Sequence, residues 1–168
     1  MAAHAGISAA LRANSRSVVP GRMVGGARGC LEAYVGAEGI IDRYREARRG
    51  RAVPGADEES QINGLIAAAG SSTTARRVLD ETARYLGAGV ANLINLFNPE
   101  RVVLGGWAGV ALGAHLLPAI RAAAATQALR QPYEQAAIEL GRLGVDAVAL
   151  GAATLPVAQL LAAGGVRR

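Results

Sequence analysis

Apolar residues return at helical spacing along most of the chain, and the gaps between these stretches fall at glycine, proline and asparagine. Leu31, Tyr34, Val35, Ile41 and Tyr44 predict one helix over roughly 31–49, followed by a polar loop with Pro54-Gly55 as its turn signal. Asp57 then stands where a helix cap belongs, ahead of a short helix through Ile62, Leu65 and Ile66 that Gly70 ends. A longer helix opens at Thr73 or Thr74 with Val78, Leu79, Thr82, Leu86, Val90, Leu93 and Phe97 as its stripe, and Asn98-Pro99 stops it. Arg101 to Leu104 is short, β-branched and apolar, ends in Gly105-Gly106, and leads into a helix through Leu112, Leu116 and Ile120. Pro118 either starts a fresh turn there or kinks it. Ala136 to Leu140 predicts a second strand, and Asp146 caps a closing helix to about Leu161. Strand, helix, strand, helix argues for an α/β layer in which a parallel pair is joined by a right-handed crossover, with the long and closing helices packed on the sheet. Before Leu31 only Ser17 to Val19, a strand tail, and the Pro20-Gly21 turn stand out, and the first sixteen residues show neither period.

Composition bounds this picture. A chain of 168 residues, 51% apolar, can bury about 70% of its unfolded surface in one core. The net charge of +5 invites a nucleic-acid reading, yet all 18 basic residues are Arg, scattered and, in the tightest group around Arg43 to Arg51, interleaved with Asp42 and Glu46. With so much Ala and Gly this is the signature of a GC-rich genome, not of a phosphate-binding stripe, so no nucleic-acid contact is expected. The single cysteine excludes an internal disulfide and fits a reducing cytoplasm. The opening twenty residues lack a continuous apolar core; they are Arg- and Ser-containing with no acid, superficially like a transit peptide, and read better as a short upstream remnant. Residues 147–166 form a long uncharged run, rich in Ala and Gly with Pro156 and Gln159 inside, too weakly apolar for a membrane span, and predict a buried helix.

Two places could carry chemistry. A strand whose carboxyl end meets paired glycines, Gly105 and Gly106, lets backbone approach a ligand at the sheet edge where α/β folds bind ligands; a plain tight turn would look the same. Glycines at 25, 26 and 29 lead into a helix whose first turn carries Glu32, which either favours the helix dipole or accepts hydrogen bonds from a sugar's hydroxyls. Cys30 beside it reads as a buried structural thiol. His4 and His115 read as structural or solvated, Trp107 as a core residue with a nucleotide-base platform as the alternative, and no lysine exists to complete a Walker-type loop.

Taken together these pieces resemble the ROK (repressor, ORF, kinase) family. Gly29-Cys30-Leu31-Glu32-Ala33-Tyr34 looks like the family's Gly-Cys-x-Glu segment. Leu86 through Asn98-Pro99-Glu100 and on to Val102–Gly106 looks like its long helix, Asn-Pro turn and adenosine-side strand, and Asp146 to Ala153 like its closing helix. The resemblance runs from 18 onward, leaving 1–17 as an unmatched and poorly ordered segment. It implies the carboxy-terminal lobe of an actin/hexokinase-type (ribonuclease H-like) ATPase fold, α/β with helices packed on a short sheet, with sugar and ATP held between two lobes. Glu32 would then bind sugar hydroxyls and Gly105 and Gly106 would approach the adenosine. A structural zinc held by one His and three Cys braces the sugar loop in the family pattern Cys-x-Cys-Gly-x-x-Gly-Cys.

The departures are equally specific. Met23 and Gly25 stand at two of the three cysteine positions, so Cys30 is a vestigial zinc ligand in an incomplete site. The upstream Glu-x-x-His element has no match around Arg12 to Ser15, and neither the phosphate-binding hairpin nor the general-base aspartate is present. The resemblance therefore implies no catalysis by this chain, no tightly held zinc, ATP or Mg, and at best weak binding of a hexose or N-acetylhexosamine. The tail residues resemble actinobacterial regulators more than glucokinases. Three readings follow: a sugar-responsive regulator fragment that senses effector and assembles as a homo-oligomer, a truncated glucokinase-like sugar kinase, or a non-functional truncated product. All are cytoplasmic and need no membrane.

Overall fold

The computed structural model describes residues Cys30 to Gly164. The element order is α1 (Glu32–Val35), α2 (Ala37–Ala47), α3 (Glu58–Ala68), α4 (Thr73–Phe97), β1 (Arg101–Leu104), α5 (Gly106–Ala125), α6 (Arg130–Gln135), β2 (Ala137–Leu140), a 3-10 turn (Gly144–Asp146) and α7 (Ala147–Ala162). The two strands pair in parallel, with Arg101 opposite Ala137 and Leu104 opposite Leu140. This is the strand–helix–strand unit that the apolar pattern predicts, and the 1–17 segment lies outside the described residues.

The core is a helical layer over that short sheet. The stripe Leu112, Leu116 and Ile120 on α5 is buried, as its spacing requires, and it packs with Ile94 of α4, Ile62 and Leu65 of α3, and Ile138 of β2. Helix α5 touches both strands and α4 packs mainly on α5, so the long helix sits behind the crossover and not on the sheet itself. Close approach is what the small residues provide. A Cβ on Gly87 would stand 2.5 Å from the Cβ of Ala123 and 2.9 Å from two backbone atoms of α5, and one on Gly113 would overlap Leu140. Polar tethers complete the layer: Arg121 donates through Nε and Nη2 to the Ile138 carbonyl at 3.1 and 2.6 Å, and Asn95 latches the turn after α5 by accepting from Leu129 N at 2.7 Å.

Five expectations need correction. The single helix over 31–49 is two, because Gly36 is extended (ψ 154°) between them, closing α1 through its amide and starting α2 through its carbonyl. The α4 stripe leaves the core at its end: Leu93 and Phe97 are 45% and 72% exposed, while Ile94 points inward. The closing helix forms but is neither buried nor packed on the sheet; no residue of α7 is buried, and its neighbour is the 3-10 turn that precedes it. Asp146 does not cap it, since Asp146 is itself helical (φ −82°, ψ −2°) and the 3-10 turn runs straight into α7. A short helix, α6, occupies the segment before β2 where none is predicted; Tyr133 holds it by donating to the Arg121 carbonyl at 2.9 Å.

One described helix, α5, is long and apolar enough to cross a membrane by length and composition. Its buried Leu112, Leu116, Ile120 and Ala124 are committed to the core, which is what a central helix of a packed domain shows.

Candidate functional site

Two features that the sequence singles out lie in separate parts of the domain. Glu32 stands in the four-residue helix α1, which packs on α2 and α4; Gly105 and Gly106 join β1 to α5. No hydrogen bond or ion pair connects the two places among the described residues.

Around Glu32 the geometry is built from behind. Leu31 packs into the notch at Gly89 of α4, where a Cβ would stand 2.6 Å from Leu31 Cδ2. Gly36 leaves room for the Glu32 side chain to fold back over it, since a Cβ there would meet Glu32 Oε1 at 2.5 Å. Tyr34 is buried and its ring lies 5.0 Å from that of Tyr85 on α4; burial, then the Tyr85 phenol, raises its pKa above the usual tyrosine value. Beneath α1 lies Arg43, whose side chain is only 14% exposed. It donates to the Tyr34 carbonyl at 2.9 Å, to Thr82 Oγ1 at 2.6 Å and to Glu81 at 3.3 Å, and its guanidinium lies 5.6 Å from the Tyr85 ring centre. Desolvation lowers the Arg43 pKa, with Glu81 and Tyr85 opposing it. Glu32 itself is exposed and makes no ion pair or side-chain hydrogen bond among the described residues.

The glycine end is a ledge without side chains. Gly105 is extended (φ −126°), Gly106 has φ +72°, which a side chain rarely adopts, and no heavy atom lies within 4 Å of a Cβ at either. Gly141, at the end of β2, lies alongside: its amide donates to the Leu104 carbonyl at 2.8 Å, and a Cβ on it would be 3.4 Å from Gly105 Cα. Both parallel strands thus end in glycine, and α5 starts there with no side-chain cap on its first amides. Sequence reasoning passed over Gly141, although Leu140-Gly141 repeats the Leu104-Gly105 pattern. Trp107 packs partly buried against the core. His115 is exposed on α5 and His4 lies outside the described residues.

Cys30 is exposed, correcting the expectation of a buried thiol; among the described residues nothing covers it. The residues present do not fit the family's structural zinc. The described residues hold no cluster of three or more His, Cys, Asp or Glu, and Met23 and Gly25 supply no thiolate. A groove of about 1010 Å³ runs along the α4–α5 crossing, lined by Arg76, Arg84, Asp80, Tyr85, Ala119 and Ala123 among others. Neither Glu32 nor the glycines line it, so its size does not make it the candidate site.

The comparisons with known proteins bear on the whole arrangement. The ROK family model matches residues 21–159. The chain is similar to a glucokinase of Halalkalibacterium halodurans (32% identical over 133 residues, 75% of this chain and 40% of that one). It is also similar to a xylose repressor of Caldicellulosiruptor bescii (28% over 145 residues, 79% and 35%) and a transcriptional regulator of Mycobacterium tuberculosis (37% over 98 residues, 54% and 22%). Among solved structures it resembles that of a ROK family transcriptional regulator described as a homologue of the E. coli MLC protein, with TM-score 0.58, 27% identity, and 76% and 32% coverage. The chain spans about two fifths or less of these relatives. With the family model covering most of the sequence and the strand pair, Asn-Pro turn and Glu32 helix in their expected order, the chain belongs to the ROK family.

Proposed function

We propose that this chain is the effector-sensing lobe of a sugar-responsive ROK-type transcriptional regulator, acting in the cytoplasm and not itself catalytic. The observation that carries the reading is Glu32. An exposed carboxylate with no partner among the described residues, on a helix held from behind by a largely buried network, keeps its lone pairs available for sugar hydroxyls. A surface ion pair with arginine would compete for them. Relatives named as a xylose repressor and transcriptional regulators support the regulatory branch. A glucokinase-type kinase origin is the second reading, favoured by the 32% identity to a glucokinase and by the open glycine ledge. On that reading Gly105, Gly106 and Gly141 would lie against the adenosine of an ATP whose γ-phosphate, with Mg, supplies the group to be transferred.

The test is a titration of the chain with glucose, xylose, N-acetylglucosamine and N-acetylmannosamine, followed by amide shifts of residues 31–36. Binding weaker than about millimolar, on the order of −4 kcal/mol, is expected and should vanish in Glu32→Gln. A response that Glu32→Gln leaves intact removes Glu32 from the site. ATP-dependent phosphorylation of any of these sugars by the chain alone, abolished by Glu32→Ala, would replace the regulatory reading with the kinase one.

A further inference from the structure

We propose that Arg43 is the residue that positions Glu32; the inference rests on the sugar-site reading of Glu32 and adds the device that holds it in place. Helix α1 has four residues, a single turn that cannot persist by its own backbone bonds. Where α1 stops at Gly36, no backbone amide among the described residues donates to the Tyr34 carbonyl, and Arg43 Nη2 fills that role at 2.9 Å. The same nitrogen lies 2.6 Å from Thr82 Oγ1 on α4. Thr82 is fully buried and spends its own proton on the Val78 carbonyl at 2.8 Å, so its oxygen can only accept from Arg43. Arg43 Nη1 reaches Glu81 at 3.3 Å, and the guanidinium lies over Tyr85, whose ring packs on Tyr34. One side chain from α2 therefore fastens α1 to α4, two residues along the chain from Glu32.

The chemistry requires arginine. A planar fork can address Tyr34, Thr82 and Glu81 together and stack on Tyr85, whereas a lysine ammonium keeps the charge but offers one point of attachment. Glu32 is not among the partners, so Arg43 fixes where the carboxylate stands without consuming its lone pairs. In this arrangement Arg43 is a positioning residue and does not touch the sugar.

Hydrogen exchange on the ligand-free full chain tests this without any sugar. In Arg43→Lys, exchange at the amides of Ala33 to Gly36 should rise about tenfold or more while Val90, Ala91 and Ile94 of α4 keep their protection. Thr82→Val, which removes the buried acceptor at nearly constant volume, should move the same amides in the same direction by less. Unchanged α1 exchange in Arg43→Lys overturns the proposal, and so does a loss spread equally through α4, which would make Arg43 a general core residue. The sugar titration supplies the second arm: the initial slope of the amide shifts should fall several-fold in Arg43→Lys, in parallel with its α1 exchange. A slope equal to wild type despite loosened α1 overturns the positioning role, whereas a wild-type response that Glu32→Gln does not change sinks the sugar-site reading alone and leaves the exchange result to stand.

Discussion

Helices α4 and α7 both carry long apolar runs, α4 beside five charged side chains, and they meet opposite fates. Twelve of the 25 residues of α4 are buried, including the run from Gly87 to Ala91 that covers every face of the helix. None of the 16 residues of α7 is buried, although it carries no charged side chain and exposes Val148, Leu155 and Leu161 at 64% or more. The difference is not hydrophobicity. Helix α4 is flanked by α1, α2 and α3 on one side and by α5 on the other, and glycines at the contacts let the backbones close in. Among the described residues, the element that α7 chiefly contacts is the 3-10 turn before it. Apolar composition says that a helix can be buried; a neighbour of matching shape decides whether it is.

The sharpest way to break this comparison is to truncate one side chain in each helix. Ile94→Ala, in a fully buried position, should destabilise by about 2–5 kcal/mol through lost transfer energy and the cavity left behind. Leu155→Ala, at a position 64% exposed, should change stability by less than about 0.5 kcal/mol. Denaturant unfolding of both variants reads the difference directly. A loss of several kcal/mol in Leu155→Ala would mean that α7 is covered in solution.

Glycine replacement gives a second contrast of opposite sign. Gly87→Ala drives a methyl against Ala123 Cβ and the backbone of α5, atoms that cannot swing aside, and should cost about 1–3 kcal/mol. Gly151→Ala in α7 meets nothing within 4 Å and should gain up to about 1 kcal/mol from helix propensity alone. If Gly87→Ala were as favourable as Gly151→Ala, the α4–α5 contact would be looser than these distances show.

What the sequence showed and what it hid divide along the same line. Local signals were legible: Asp57 capping α3, Thr73 opening α4, Asn98 in the left-handed conformation (φ 45°) stopping α4, and the β1 boundaries residue for residue. Each depends on a few adjacent residues. The break at Gly36 was not legible, because a single glycine inside an apolar period is usually tolerated; here a Cβ would stand 2.7 Å from the Glu32 carbonyl oxygen, a crowding that spacing does not report. Arg43 was read as one charge in a mixed cluster, since its partners Glu81 and Thr82 lie 38 and 39 residues away. The exposure of α7 was hidden for the same reason: burial is a property of pairs of elements, and spacing along one helix reports only half of each pair. For the candidate site, the motif supplied Glu32 and the glycine pair, while Gly141 and Arg43, which build the surroundings of each, came from tertiary contact.

The smallest expected effect compares the two aspartates that precede helices. Asp57 accepts from Ser60 N at 2.7 Å and caps α3, whereas Asp146, already helical, makes no capping bond to α7. The hydrogen bonds from Ser60 hold the Asp57 carboxyl below its ordinary value. A folded pKa below the unfolded one means that folding favours the ionised form. The contribution is then complete above the unfolded value of about 3.9 and drains away as pH falls through the lower folded value. Asp57→Ala should therefore lower Tm at neutral pH, and the gap to wild type should narrow as pH falls through that window. Asp146→Ala should leave Tm unchanged at either pH, since it breaks no bond that the ionised carboxylate makes. Thermal unfolding at neutral pH and again at the lowest pH where the chain stays folded separates the two. An Asp57→Ala gap that stays constant with pH would show that the cap acts without its charge, and equal losses in both variants would show that α7 is capped after all.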